Sequence, residues 1–192
     1  MKNIHPPILL VFLLFLFFAC NQKKARKEIT NITVEDSLSE YFSLANDLSL
    51  TKPKRQAYAK KAFEIVVNQE EDSINRVNLF RVANRYYNIN DWKDFNKTVY
   101  LVLNKAVSAK DTFHITKAYT YLGDYYDFQL ISDSAFMFYN KAEKIYTKPK
   151  DNIALSKILI NKANLQYKIG DFLGAQNTVF NVLRKIKDEK QV

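Results

Sequence analysis

Apolar residues recur along this chain at intervals of three and four, with polar residues between them. Trp92, Phe95, Val99, Val102, Leu103 and Ala106 make one such stripe; Phe172, Ala175, Val179, Val182 and Ile186 make another. That spacing returns side chains to one face of a helix, whereas a half-buried strand needs strict alternation. The stripes themselves repeat. A shift of 40 residues places Ala83, Gly123 and Ala163 in one column, and Ala62, Val102, Ala142 and Val182 in another. A fixed period of this size marks an array of helix pairs, because a single pair cannot bury its apolar face and must stack on its neighbours.

The pattern predicts four pairs: Val34 to Leu50 with Pro53 to Asn68, Ser73 to Asn88 with Trp92 to Ser108, Thr112 to Leu130 with Ser134 to Tyr146, and Asn152 to Ile169 with Phe172 to Lys187. Pro53 forbids a continuous helix through the first break and suits a helix start. Acceptor side chains stand where later helices begin: Asp72, Asp91, Asp111, Asp133-Ser134, Asp151 and Asp171. Each can take up a free amide of a first turn. With 3 glycines and 4 prolines in 192 residues, a many-stranded sandwich or barrel is disfavoured. The expected fold is all-α, and most of the tyrosines and phenylalanines fall on the packing stripes.

The first residues follow other rules. Lys2 precedes an apolar run from Ile8 to Phe18, closed by Ala19 and Cys20. The run is too short for a comfortable membrane span and ends on a small residue, as an export signal does. We expect residues 1–19 to be a signal peptide, residues 20–35 a polar, basic tether, and residues 36–192 the repeat domain. Cys20 is the single cysteine, which excludes a disulfide within the chain. The junction resembles a bacterial lipoprotein signal, which implies lipidation of Cys20 and a membrane anchor; ordinary secretory cleavage and an uncleaved anchor are the alternatives. The absence of aspartate after Cys20 leans towards the outer membrane.

Removing residues 1–19 takes away Lys2 alone among charged residues, so the formal net charge of +9 becomes +8. A basic chain attracts nucleic acid, anionic lipid or acidic partners. Export argues against nucleic acid, and the dispersed lysines fit a solvated surface or a face for an acidic partner.

Tyr119, Leu122, Gly123, Tyr126, Ala135, Tyr139 and Ala142 stand at the spacings of a tetratricopeptide repeat. The next pair carries Leu159, Ala163, Ala175, Val179 and Val182, with Gly170-Asp171-Phe172 at its turn, and departs at Lys162 and Gln166. The preceding pair keeps Leu79, Val82, Ala83 and Tyr86 but has Phe95 where a small residue is usual. The chain resembles that family over residues 36–187, which implies a right-handed α-solenoid of about four antiparallel pairs. Its period of 40 exceeds the family's usual length, so helices or loops are longer here, and a HEAT-like array is the alternative. Together with the lipoprotein-type signal, Asn84-Arg85-Tyr86-Tyr87-Asn88 and Tyr121-Leu122-Gly123-Asp124-Tyr125-Tyr126 look like the exported part of tetratricopeptide sensor proteins of the Bacteroidetes.

The resemblance also implies a groove lined by the first helix of each pair. Its columns hold Val77, Phe80, Asn84 and Tyr87, then Lys117, Thr120, Asp124 and Asp127, then Lys157, Ile160, Asn164 and Tyr167. The polar column Asn84, Asp124 and Asn164 could hold an extended peptide backbone. No lysine stands in the column of Phe80, Thr120 and Ile160, so a carboxylate clamp is not expected.

Chemistry is sparse. His5 lies in the leader and His114 stands alone near a helix start, so neither builds a metal site. No phosphate-binding loop or nucleophile elbow occurs. Asp124 and Asp127 are close on one helix but lack a nucleophile beside them. We expect no enzyme activity, cofactor or metal. The expected function is a protein- or peptide-binding scaffold of the cell envelope. The alternatives are the sensory input region of a histidine kinase or transcription regulator without its output module, and an envelope assembly factor.

Overall fold

The computed structural model describes residues 34–146 and 152–189, and among these every regular element is an α-helix. The helices are α1 (Val34–Asn46), α2 (Lys52–Val67), α3 (Ser73–Asn88), α4 (Trp92–Ser108), α5 (Thr112–Phe128), α6 (Ser132–Ile145), α7 (Asn152–Lys168) and α8 (Phe172–Glu189). The chain divides after Ser37 into two units, the first containing only the opening turn of α1 among the described residues, the second running from Leu38. The leader, the tether up to residue 33, Cys20 and the Asp151 cap lie outside the described residues.

Four turns are built alike, and they set the period. After α3, α4, α5 and α7 the second residue of the turn takes a left-handed conformation: Asn90 (φ 56°), Lys110 (φ 52°), Leu130 (φ 59°) and Gly170 (φ 82°). The following amide then reaches back five residues, from Asp91 to the Tyr86 carbonyl (2.9 Å), Asp111 to Ala106 (2.8 Å), Ile131 to Tyr126 (2.9 Å) and Asp171 to Gln166 (2.9 Å). This bond satisfies carbonyls that a helix end leaves open. The residue that closes one helix also caps the next: Asp91 accepts from the Asp94 amide (3.2 Å), Asp111 from His114 (3.1 Å) and Asp171 from Gly174 (2.9 Å). Helices α4, α5 and α7 are each 17 residues long, whereas α6 has 14 and a longer connection, residues 146–151, follows it, so helix length and loop length together carry the 40-residue repeat.

The expected bounds of α3 and α4 agree with those observed. Elsewhere they differ. α1 stops at Asn46 rather than Leu50, because the Asp47 side chain accepts from the Ser49 amide and turns the chain. α2 opens at Lys52, with no side-chain bond from its cap Thr51. α5 ends at Phe128, and α6 begins at Ser132 rather than Ser134, capped by Ile131 with no side-chain bond, so Asp133-Ser134 is not the cap. α7 ends at Lys168, and α8 extends to Glu189.

From α2 to α8 consecutive helices pack on one another, and α5 also touches α7 across the intervening helix. Ala62, Val102, Ala142 and Val182 are all buried, as are Ala83, Gly123 and Ala163, so both repeat columns lie in the core. One apolar cluster runs from Leu38 and Phe42 on α1 to Phe138 on α6; a smaller one joins Ala135 and Tyr139 to Leu165 on α7. Rings knit adjacent pairs together: Trp92 stacks on Phe128 at 3.8 Å, and Phe95 lies between Tyr121 and Tyr125.

An ionic knot, buried at Arg76 and His114 and open at Glu71, ties the second and third pairs. Arg76 meets Glu71 (2.6 Å) and Asp111 (3.1 Å), Lys105 also pairs with Glu71, and Asp111 contacts His114 Nδ1 at 2.6 Å. Burial opposes ionisation of Asp111, but its bonds from His114 and the Arg76 charge hold it below the ordinary carboxylate range. His114 itself is buried and stacked on Phe80 at 5.9 Å, so it is a packing residue rather than a surface one.

A candidate binding cleft on the first helices

Five of the expected groove residues converge. Tyr87 from α3, Asp124 and Asp127 from α5, and Asn164 and Tyr167 from α7 line one cleft of about 480 Å³, together with Phe128, Tyr139, Asn161 and Lys168. The repeat explains the convergence: equivalent positions on successive first helices fall side by side when the pairs stack.

The floor is a polar triad. The Tyr139 hydroxyl donates to Asp124 Oδ1 at 2.8 Å, and the Asn161 amide donates to the same oxygen at 2.9 Å. Burial pushes the Asp124 carboxyl up to about 6, the Asp127 charge adds to the shift, and the two hydrogen bonds and the Lys168 charge oppose it. Burial and then Asp124 drive the Tyr139 hydroxyl far above its ordinary value. Asp124 is therefore a hydrogen-bonded acid of the cleft floor rather than a solvated one.

The rim is aromatic and wet. Tyr87 stands edge-on to Trp92 at 5.2 Å, Tyr167 edge-on to Phe172 at 5.3 Å, and Tyr87, Phe128 and Tyr167 are all exposed. Lys168, 57% exposed, reaches Asp127 Oδ2 at 2.6 Å from the lip. Such an exposed pair is worth about 0–1 kcal/mol and yields readily to a competing cation.

The remaining expected residues separate. Lys117, with Thr120 and Lys157, lines a second cleft of about 400 Å³ towards the start of α5, where Tyr121 and Ile158 add apolar surface. The Lys117 ammonium lies 4.5 Å from the Phe80 ring centre, and burial lowers its pKa. Phe80 is 1% exposed, so it belongs to the core and cannot line a groove. Asn84 is half-buried beside the Tyr121 hydroxyl, and Ile160 is exposed but borders neither cleft.

Four contributors escaped the sequence reading as site residues: Phe128, Tyr139, Asn161 and Lys168. Tyr139 was legible only as packing; its signal is the column it shares with Val99 and Val179, where a far larger residue stands opposite the smallest one, Gly123. Among the described residues no cluster of histidine, cysteine or acidic side chains could hold a metal ion, and no helix is long and apolar enough to cross a membrane. No protein-family model matches the chain, and no curated protein matches it.

Proposed function

We propose that this protein is a non-catalytic scaffold of the bacterial cell envelope that holds an extended segment of a partner protein along α3, α5 and α7. In this reading the helix pairs form a right-handed, tetratricopeptide-type solenoid, residues 1–19 are removed on export, and a lipid on Cys20 tethers the domain to a membrane. The observation that carries the binding proposal is the assembly of Tyr87, Asp124, Asp127, Asn164 and Tyr167 from three helices into one cleft. Amides there suit a peptide backbone, and two carboxylates ringed by aromatics suit a basic side chain; this acidic site lies in a chain whose formal charge is +9.

The test is selection of random displayed peptides on the protein, followed by fluorescence anisotropy of labelled winners. Lysine- or arginine-bearing peptides should be enriched and should bind at least about 10-fold more weakly to Asp127→Asn and Tyr167→Ala variants, the loss of roughly one charged contact or one aromatic anchor. Enrichment that persists on the doubly substituted protein would sink this assignment.

A further inference from the structure

The second cleft, of about 400 Å³, differs from the first in charge as well as in place. Helix α5 contributes Thr116, Lys117, Thr120 and Tyr121 to it, and α7 contributes Lys157 and Ile158. Thr116 and Ile158 are buried, Lys117 and Tyr121 are half-buried, and Lys157 is exposed. The lining is mainly apolar and holds no aspartate or glutamate. A concave, largely apolar site of this size with a few polar groups converging on it has the form of a small-ligand pocket.

Lys117 and Lys157 stand in one repeat column, so stacking of the pairs brings both cations to the same cleft. Neither ammonium pairs with a carboxylate among the described residues. Lys117 rests on rings instead, 4.5 Å from the centre of Phe80 and 5.8 Å from that of Tyr121. Burial lowers its pKa, so this charge is partly desolvated and lacks a counter-ion there, a cost that an entering anion relieves. The lining hydroxyls narrow the anion. Thr116 Oγ1 donates to the Thr112 carbonyl at 2.8 Å and Thr120 Oγ1 to the Thr116 carbonyl at 3.0 Å, so neither has a proton left for a ligand. Two ammonium groups beside spent hydroxyls suit the two oxygens of a carboxylate and fall short of the donors that a phosphate uses.

We propose that this cleft binds a small organic acid, its carboxylate at Lys117 and Lys157 and its aromatic or aliphatic body against Tyr121 and Ile158. Charge complementarity selects the occupant: two cations without an acid at the mouth of an apolar hollow call for a lone negative group on an apolar body. The site does not depend on the peptide reading of the first cleft, where Asp124 and Asp127 call for the opposite sign. Seven residues, close to two turns or about 10 Å, separate Lys117 from Asp124 on one face of α5. The acid therefore sits beside the first cleft rather than in it.

The test is isothermal titration calorimetry of the full chain in mild detergent with 3-phenylpropionate, its neutral amide and phenethyl phosphate, each corrected by a detergent blank. The acid should bind at least about 10-fold more tightly than the amide, which has the same body without the charge, and more tightly than the phosphate ester. Lys117→Met and Lys157→Met should each weaken the acid about 10-fold and leave the amide unchanged. Asp127→Asn, in the first cleft, should leave the acid within about 2-fold. Lys157 is exposed, so its variant tests the site even if Lys117→Met, which alters a contact with Phe80, disturbs the fold. Equal affinity for acid and amide, tighter binding of the phosphate ester, or no saturable heat up to about 10 mM acid overturns the proposal. Loss of selected-peptide binding in Lys157→Met also overturns it, and gives the cleft to an acidic side chain of the partner.

Discussion

The Tyr139 ring occupies the space that a side chain at position 123 would need. A Cβ placed on Gly123 would lie 2.4 Å from Tyr139 Cε1 and 2.5 Å from Cδ1. The hydroxyl of the same ring reaches the cleft, 2.8 Å from Asp124 Oδ1. Absence of one methyl group thus lets a second-helix residue cross to the groove and form its floor. The neighbouring pairs hold Ala83 with Val99 and Ala163 with Val179 in these columns, a larger residue on one helix matched by a smaller one on the other.

Gly123→Ala should therefore destabilise the fold by about 2 kcal/mol, the cost of overpacking a buried site whose neighbour cannot swing away. Combining it with Tyr139→Val, which recreates the Ala–Val pairing of the adjacent repeats, should cost less than the two single changes added together. A double-mutant cycle by urea denaturation measures that coupling; strict additivity would mean the two residues do not compete for one space.

Leu130→Gly should stabilise the protein by about 0.5–1 kcal/mol. Leu130 has φ 59° and its side chain is 86% exposed, so the substitution relieves left-handed strain and forfeits almost no burial. Part of the relief, about 1–2 kcal/mol, is offset by the greater freedom of glycine in the unfolded chain. The urea midpoint should rise with an unchanged slope.

Stability should fall as pH rises from about 4 to about 6, relative to Asp124→Asn. The folded state raises the Asp124 carboxyl from 3.8 to about 6, so in that window it binds more protons than the unfolded state does. The slope of unfolding free energy with pH is then negative, and the contribution present below the unfolded value is gone above the folded one. Parallel pH series on the two proteins, read as a difference, isolate this group. A flat difference would place Asp124 in water.

Phe80→Ala and Tyr167→Ala should behave oppositely, although both positions belong to the same expected groove. Phe80 is 1% exposed and should cost about 3–5 kcal/mol of stability, whereas Tyr167 is 66% exposed and should cost about 0.5 kcal/mol or less. Thermal melts separate the two; peptide binding should be lost only with Tyr167 at temperatures where both variants are folded.

What the sequence alone determined is local and periodic. The stripe spacing, the proline at the first break, and the aspartates at residues 72 and 91 were enough to place α3 and α4, because capping and amphipathicity act within a turn or two of the chain. Where no polar cap exists, as at Ile131, the start of α6 was misplaced by two residues, since backbone geometry rather than a side chain closes that turn. Tertiary structure decided which face of each first helix meets solvent. Phe80 and Ile160 share a repeat column, yet Phe80 is covered by His114, Tyr121 and Lys117 while Ile160 is open. Tyr139 reads as core in one dimension and becomes a site residue only because Gly123 lets its hydroxyl through to Asp124. A repeat period records which positions are equivalent along the chain; the volumes of side chains brought together from different helices determine what each position does.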